Sequence, residues 1–305
     1  MHDSVVYPPS PEPVRLEIEP TNVCNGKCIF CPRSEMKREK GYMDLEKLRD
    51  FLERFMTYRE TMWLNRGKRN KYPIMVLCGL GEPLLHPKIF DIIRMGRDYD
   101  FPVQLVTNGS TLSPKLGKKM IESDLNNLAI SIHSLNPETY NKLTGLNLED
   151  VLPRVESILE YLRGSGIELE IWRVAFPDGT ILQDQEKFSN FLSRHKTVKV
   201  FGPTPAWNRG GLLADKFYPL ANDGHIWCEK LYFTSSIAWD GRAVLCCCDY
   251  FNITVPLGNA WKDTIEDIQK RRELVFRSKI RPKICKACRR PIDNFYENEI
   301  YPKLA

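Results

Sequence analysis

Three cysteines lie within eight positions near the start of the chain, at Cys24, Cys28 and Cys31. Their spacing is C-x3-C-x2-C, and no other Cys or His lies close by in the sequence to complete a set of four. A structural zinc ion normally takes four protein ligands, often from two cysteine pairs. Three thiolates instead suit a [4Fe–4S] cluster that leaves one iron open to a ligand from outside the protein. A zinc loop and three unligated thiols are the alternatives.

A second group of four cysteines lies in the last third of the sequence. A β-hairpin predicted over 232–248, turning at an Asp-Gly pair, brings the first two together. A predicted amphipathic helix over 264–278 then returns the chain to a C-x2-C pair. Four thiolates would hold one fully ligated [4Fe–4S] cluster, or a zinc ion in a zinc ribbon.

Three further cysteines, Cys78, Cys247 and Cys248, belong to neither set. Cys78 lies inside an apolar strand-like run, which predicts a small core residue. Cys247 and Cys248 directly follow a candidate ligand, so they are either packing thiols or a source of hydrogen atoms for a carbon radical. Strand alternation would put Cys248 on the face of Cys246 and Cys247 on the opposite face.

The elements that must position these thiols alternate between strand-like and helical runs. Six such alternations predict an α/β fold with a parallel sheet, open or partly closed into a barrel. The predicted strands cover 14–20, 73–79, 103–109, 127–134, 168–175 and 198–203, and the predicted helices between them cover 44–60, 86–99, 114–123, 148–164 and 184–195.

The composition, 42% hydrophobic and 27% charged in 305 residues, is that of an ordinary globular protein. No apolar run reaches the ~18 residues of a membrane helix, and the N-terminus lacks signal-peptide features, which predicts a cytoplasmic protein without a membrane partner. The basic run 65–72 is interpreted as a solvated loop. It lacks the interleaved aromatic residues that would indicate nucleic-acid binding. The predicted organisation is an N-terminal extension (1–13), a main domain (14–203), a linker (204–224) and a cysteine-rich domain (225–305).

The three-cysteine loop and the strand ends together resemble the radical S-adenosylmethionine (SAM) superfamily. The aromatic residue before the third cysteine, GLGEP (79–83), TNG (107–109) and SIHS (131–134) match the family's SAM-binding positions. The resemblance covers about residues 14–203 and implies a partial (β/α)6 barrel. It also implies that the cluster binds SAM and cleaves it to a 5′-deoxyadenosyl radical. The residues implied to bind SAM are Phe30, Leu80, Gly81, Glu82, Pro83, Thr107, Asn108, Ser131, His133 and Arg173.

The second cysteine set resembles the SPASM/Twitch domains, which carry auxiliary clusters. The resemblance implies that Cys228, Cys246, Cys285 and Cys288 are the four ligands of one [4Fe–4S] cluster, and it favours the single-cluster Twitch form. Small radical SAM epimerases with this layout use a cysteine as hydrogen donor, so Cys247 or Cys248 is expected to be catalytic. The expected substrate is a small, carbohydrate-like natural product, partly because no leader-peptide-binding domain is evident. A flavodoxin or ferredoxin is the expected reductant. The alternatives are a radical dehydrogenase, a peptide-modifying enzyme and a zinc-stabilised binding module.

Overall fold

A sheet of eight strands, in the order β6-β5-β4-β3-β2-β1-β7-β8, organises the computed structural model. The structure describes residues 15–64, 73–175, 184–206, 209–213, 229–278 and 282–288. The predicted N-terminal extension, the basic run 65–72 and Cys228 lie outside the described residues. The strands are β1 (Arg15–Ile18), β2 (Ile74–Leu77), β3 (Val103–Thr107), β4 (Asn127–Ser131), β5 (Glu168–Ala175), β6 (Lys199–Pro205), β7 (Thr234–Ile237) and β8 (Ala243–Val244).

Strands β1 to β6 are parallel and follow the chain order across the sheet, as the β/α alternation predicts. All six predicted strands are present. The helices are α1 (Leu45–Leu64), α2 (Ile89–Asp98), α3 (Pro114–Glu122), α4 (Pro137–Thr144), α5 (Leu148–Tyr161), α6 (Gln185–Arg194), α7 (Glu229–Phe233), α8 (Ile265–Arg277) and α9 (Lys283–Ala287).

Helix α4 is an element that the sequence patterns did not predict. Its N-terminus is capped by the Asn136 side chain, which accepts a hydrogen bond from the Thr139 amide. Its C-terminus is capped by Gly145 in the left-handed conformation, with φ 67°. The helix has only eight residues. Its apolar pattern in the sequence is too short to be recognised as a helix distinct from the one that follows.

The β7–β8 hairpin extends the main sheet rather than standing apart from it. Strand β7 pairs in parallel with β1, in a register that places Ser236 opposite Glu17. The Ser236 hydroxyl donates a hydrogen bond to the Glu17 carboxylate at 3.1 Å. The hairpin turns at the predicted Asp240-Gly241 pair, where Gly241 has a φ of 83° that other residues adopt with difficulty. The domain boundaries themselves stay predictions.

The sheet separates an apolar layer from a polar interior. Alternate residues such as Leu16, Leu105 and Ile171 are fully buried in the core formed with the helices. Their neighbours Glu17 and Glu170 lie on the other face, where they line a cavity. Parallel strands that are covered on both faces usually have continuous apolar sequences. The buried polar residues of these strands therefore indicate a candidate functional site.

Candidate active site

The three-cysteine loop follows β1 and is held in place by α4. The backbone amides of Lys27 and Ile29 donate hydrogen bonds to the carbonyls of Thr144 and Leu143, at 2.7 and 3.0 Å. The last carbonyls of a helix have no partner within the helix, so this loop satisfies groups that α4 leaves open. The Arg33 guanidinium closes the loop by donating to the Gly26 carbonyl at 2.6 Å.

The loop directs its thiols toward one another. A methyl group on Gly26 would lie 3.7 Å from the sulfurs of both Cys24 and Cys28. Burial, together with repulsion from the neighbouring Cys31 and Cys24, raises the pKa of Cys28 to about 12. Coordination by cationic iron would remove that repulsion, so the donor set fits a cluster.

The described side chains do not form a ready-made site for a single metal ion. In the described ranges, no three Cys, His, Asp or Glu side chains converge on a single metal position. A zinc ion needs its sulfurs at about 2.3 Å from one point, whereas a four-iron cluster spreads its thiolates over a larger volume.

The GLGEP segment ties the ends of β1, β2 and β3 together. The Glu82 carboxylate is buried and accepts hydrogen bonds from the Thr107 hydroxyl and the Asn108 amide, each at 2.7 Å. Burial raises the pKa of Glu82, and these hydrogen bonds oppose that rise. A methyl group on Gly81 would overlap the Thr21 carbonyl, so only glycine permits this close approach to the cysteine loop.

A cavity of about 1030 Å³ opens inside the sheet, beside the cysteine loop. It is lined by most of the residues that the sequence predicted to bind SAM, to hold the SAM-binding cluster or to act in catalysis. Pro83 and Cys248 do not line it; Pro83 begins a short 3₁₀ turn, Pro83–Leu85. The predicted residues that line the cavity are Cys24, Cys28, Phe30, Cys31, Leu80, Gly81, Glu82, Thr107, Asn108, Ser131, His133, Arg173 and Cys247.

One wall of the cavity is formed by aromatic and basic groups. The His133 ring packs edge-on against Phe30, with ring centroids 4.8 Å apart. Burial lowers the pKa of His133 to about 4, helped by the positive charges of Arg173 and Arg209, so the imidazole is neutral at pH 7. The Arg173 guanidinium stacks 3.5 Å above the centre of the Phe188 ring. Its buried Nε and Nη2 atoms have no hydrogen-bond partner within the part of the chain that the structure describes.

Another part of the cavity wall holds an ion cluster and two thiols. Glu17 accepts a hydrogen bond from Arg15 at 2.9 Å and lies 3.9 Å from the Lys230 ammonium. Burial opposes ionisation of Glu17, but Lys230, Arg15 and Ser236 outweigh it and lower its pKa. Cys78 lies here too. Its prediction as a core residue is wrong, because β2 ends at Leu77 and Cys78 faces the cavity.

The cysteines after β8 divide between the cavity and the C-terminal cysteine pair. They lie in a turn rather than on a strand, so strand alternation does not set their directions. Cys247 lines the cavity. Cys248 is only 3% exposed, and its thiol forms hydrogen bonds with those of Cys246, Cys247 and Cys288. Cys246, Cys285 and Cys288 pack against the same core cluster, while Cys228 is outside the described residues.

Two basic residues of the cavity, Arg209 and Lys230, were missed from the sequence. Arg209 follows an irregular stretch and carries no motif, and Lys230 precedes the predicted hairpin. Glu170 and Gln104 were detectable in principle, because each interrupts an apolar parallel strand. The buried Glu19, one residue after β1, is paired with Arg38 at 2.8 Å and does not line the cavity.

None of the helices in the described ranges combines the length and the apolar character that crossing a bilayer requires.

Family profiles match the two parts of the chain that carry the cysteine sets. The radical SAM superfamily profile matches residues 18–177, and the SPASM profile, an iron–sulfur cluster-binding domain, matches residues 228–289. The crystal structure of BtrN in complex with AdoMet and 2-DOIA superposes with a TM-score of 0.63 at 19% identity, covering 92% of this chain and 94% of that one. At that identity, the likeness shows a shared fold.

Curated relatives are similar over about half of this chain. A probable GTP 3′,8-cyclase of Thermococcus kodakarensis is 30% identical over 181 residues, which is 55% of either protein. An AdoMet-dependent heme synthase of Methanosarcina barkeri is 29% identical over 50% of this chain and 40% of its own length. The chain thus spans about half the length of these relatives or less. The two profile matches imply a SAM-binding [4Fe–4S] cluster, SAM and an auxiliary iron–sulfur cluster. This chain is a member of the radical SAM superfamily with a C-terminal SPASM-type domain.

Proposed function

We propose that the protein is a radical SAM epimerase that inverts one carbon centre of a small, carbohydrate-like natural product. The observation that carries this proposal is the Cys247 thiol in the wall of the same cavity as Cys24, Cys28 and Cys31. When bound, the SAM cluster supplies the reducing electron for a 5′-deoxyadenosyl radical that removes hydrogen from the substrate. Cys247 would then donate a hydrogen atom to the opposite face of that carbon, and the thiyl radical left on its sulfur would return to the thiol by taking one electron from the reductant and one proton from solvent. The location would be cytoplasmic, with a flavodoxin or ferredoxin as reductant.

Cys247 suits a donor better than Cys248 does. A donor must reach the substrate carbon and must carry its proton. Hydrogen bonding to Cys248 and burial raise the pKa of Cys247 well above its usual value, so it stays a thiol at neutral pH. Cys248 is withdrawn from the cavity and contacts the thiols of Cys246 and Cys288. That contact favours a role for Cys248 in the auxiliary cluster region.

The positions of the predicted residues support the SAM-binding roles that we propose for them. Phe30 and His133 form an aromatic corner beside the cysteine loop, which suits the adenine ring. The unpaired Nε and Nη2 atoms of the buried Arg173 suit the SAM carboxylate. The Asn25 side chain accepts from Asn108 at 2.9 Å, which links the cysteine loop to the end of β3 near the expected ribose position.

The experiment is turnover of the reconstituted, reduced enzyme in D₂O with candidate sugars. A thiol proton exchanges rapidly with solvent, so an epimerase places one deuterium at the inverted carbon. A product that has lost two hydrogens and gained no deuterium would contradict the proposal and indicate a dehydrogenase. In that reaction the substrate radical would lose a proton and pass an electron to the auxiliary cluster.

A further inference from the structure

A network of buried polar side chains forms part of the cavity wall. Gln104, Glu170 and Trp172 line the cavity, and Asn127 joins them from β4. Gln104, Asn127 and Glu170 are each no more than 6% exposed. The proposed hydrogen transfer uses none of these side chains, so the network indicates a further role.

The network lies deeper in the cavity than the residues proposed to bind SAM. Gln104 precedes Thr107 by three positions on β3, and Glu170 precedes Arg173 by three positions on β5. A strand advances about 3.3 Å per residue, so about 10 Å of strand separates the two levels. The part of the cavity at Glu170 is therefore available to a substrate group while Arg173 binds the SAM carboxylate.

Glu170 accepts hydrogen bonds only from neutral groups. Its carboxylate accepts from the Gln104 amide at 3.1 Å, from the Trp172 indole at 2.7 Å and from the Asn127 amide. No ion pair joins it to a basic side chain in the described part of the chain, and Lys199, its partner in the β5–β6 register, pairs with another carboxylate at 3.1 Å. Buried charges are normally paired, so this carboxylate lacks a counter-charge.

The side chains of the network use all of their N–H groups within the protein. The Gln104 amide donates to Asn127 at 2.9 Å as well as to Glu170. The Asn127 amide donates to Glu168 at 3.4 Å as well as to Glu170, and Trp172 has a single N–H. What remains for a ligand is acceptor capacity, on the Glu170 oxygens and the Gln104 carbonyl. An ammonium group donates three hydrogens and accepts none, so it matches such a site better than a hydroxyl does.

We infer that the substrate carries a protonated amine, and that Glu170 and Gln104 bind this group inside the cavity. The inference rests on the proposed function of the same cavity and narrows its substrate to an amino sugar or a related amine. Of the other described carboxylates that line the cavity, Glu17 already pairs with two basic side chains, and Glu82 lies among the residues proposed for SAM.

The test measures binding of four probes to the reconstituted, SAM-loaded full chain by anaerobic calorimetry, without reductant so that no turnover occurs. The probes are glucose, glucosamine, 6-amino-6-deoxyglucose and N-acetylglucosamine. We expect at least one of the two amines to bind at least about tenfold more tightly than glucose, the gain from one charge-assisted contact. N-acetylglucosamine should bind no more tightly than glucose, because its amide carries no charge.

Variants assign that preference to the Glu170 carboxylate. We expect Glu170→Gln to remove the amine preference, because the side chain keeps its size and loses its charge, and Glu170→Asp to retain part of it. Glu149→Gln makes the same charge change at an exposed position of α5 and should bind like the unmodified protein. Iron content and circular dichroism check that each variant is folded.

Three results would overturn the inference: amines that bind no more tightly than glucose, an equal gain for N-acetylglucosamine, or an amine preference that survives in Glu170→Gln. The proposed function would fail separately, through a turnover product without solvent deuterium, which leaves the measured amine preference unchanged.

Discussion

At the scale of single residues, the cavity separates two adjacent thiols into different environments. Cys247 faces the space where SAM and substrate would meet, and Cys248 contacts cysteines of the C-terminal set. The separation arises because the chain leaves strand geometry after Val244 and forms a turn. Neighbouring residues in a turn can therefore have distinct roles in hydrogen transfer and cluster binding.

The first prediction concerns this pair of thiols. Cys247→Ala should remove the epimerised product, because no hydrogen atom is available on that wall, while 5′-deoxyadenosine still forms. Cys248→Ala is the matched variant and should lose iron from the auxiliary site before it loses hydrogen transfer. The measurements are product stereochemistry, deuterium incorporation and iron content. Solvent-labelled epimer from Cys247→Ala would exclude this donor.

The second prediction concerns His133 and pH. The pKa of His133 is about 4 in the folded protein, against 6.5 for a free histidine. Between pH 4 and pH 6.5, His133 binds more protons in the unfolded chain than in the folded protein, so acid favours unfolding. The contribution of the neutral His133 to the unfolding free energy is therefore complete above pH 6.5 and is lost as the pH falls toward 4. In His133→Asn the unfolding free energy should fall less steeply over that range. Equal slopes for the two proteins in anaerobic denaturation would argue against the buried, neutral imidazole.

At the scale of elements, the GLGEP segment positions the cysteine loop. Gly81 passes so close to Thr21 that Gly81→Ala must displace one of the two segments. We expect a loss of about 1–3 kcal/mol in unfolding free energy, as for other overpacked sites, together with loss of iron at the first cluster. Gly164→Ala is the control, because it has a φ of 76° but open space around it. It should destabilise the fold and leave that cluster intact.

Helix α8 supports the segment that carries Lys230. The buried Arg272 side chain donates hydrogen bonds to the carbonyls of Leu231 and Lys230, at 2.9 and 3.0 Å. Arg272→Met should cost about 2–4 kcal/mol in unfolding free energy, because these acceptors lose a charged donor in a buried setting. Chemical denaturation measures the change. A loss below about 0.5 kcal/mol, which is ordinary for surface substitutions, would show that α8 does not hold this segment.

At the scale of the whole molecule, one continuous sheet joins the barrel to the hairpin of the SPASM-type region. Strand β7 lies directly beside β1, so the turn after β8 reaches the cavity that the barrel encloses. This arrangement brings Cys247 and the cysteine loop to one space although they are more than two hundred residues apart in sequence. The hairpin therefore contributes to the active site as well as to the second cysteine set.

Much of this arrangement was predictable from the sequence, and the limits have physical causes. Cysteine spacing predicted the three-cysteine loop as a cluster site, and the family resemblance of the strand ends predicted Glu82, Thr107 and His133 beside it. The structure brings all of them to one cavity, because parallel strands end at one edge. The pairing of β7 with β1 was not predictable, since a long-range strand contact leaves no local signature. Arg209 was missed for the same reason: tertiary packing of an irregular segment brings it to the cavity.

Iron content is a prediction at this scale. The anaerobically reconstituted protein should hold about eight irons, from two four-iron clusters. Replacing Cys24, Cys28 and Cys31 together by Ala should leave about four irons, because the C-terminal set does not depend on this loop. Iron and zinc analysis of the same samples makes the measurement. Stoichiometric zinc bound through Cys246, Cys285 and Cys288 would contradict the auxiliary cluster.

The central claim is that the loop of Cys24, Cys28 and Cys31 supports cleavage of SAM. The most direct test measures 5′-deoxyadenosine made from SAM by the unmodified protein, by Cys28→Ala and by Cys78→Ala, which changes a cysteine of the same cavity outside the loop. We predict production by the unmodified protein and by Cys78→Ala, and none by Cys28→Ala, because two thiolates cannot hold the cluster with its open iron. Undiminished production by Cys28→Ala would contradict the account.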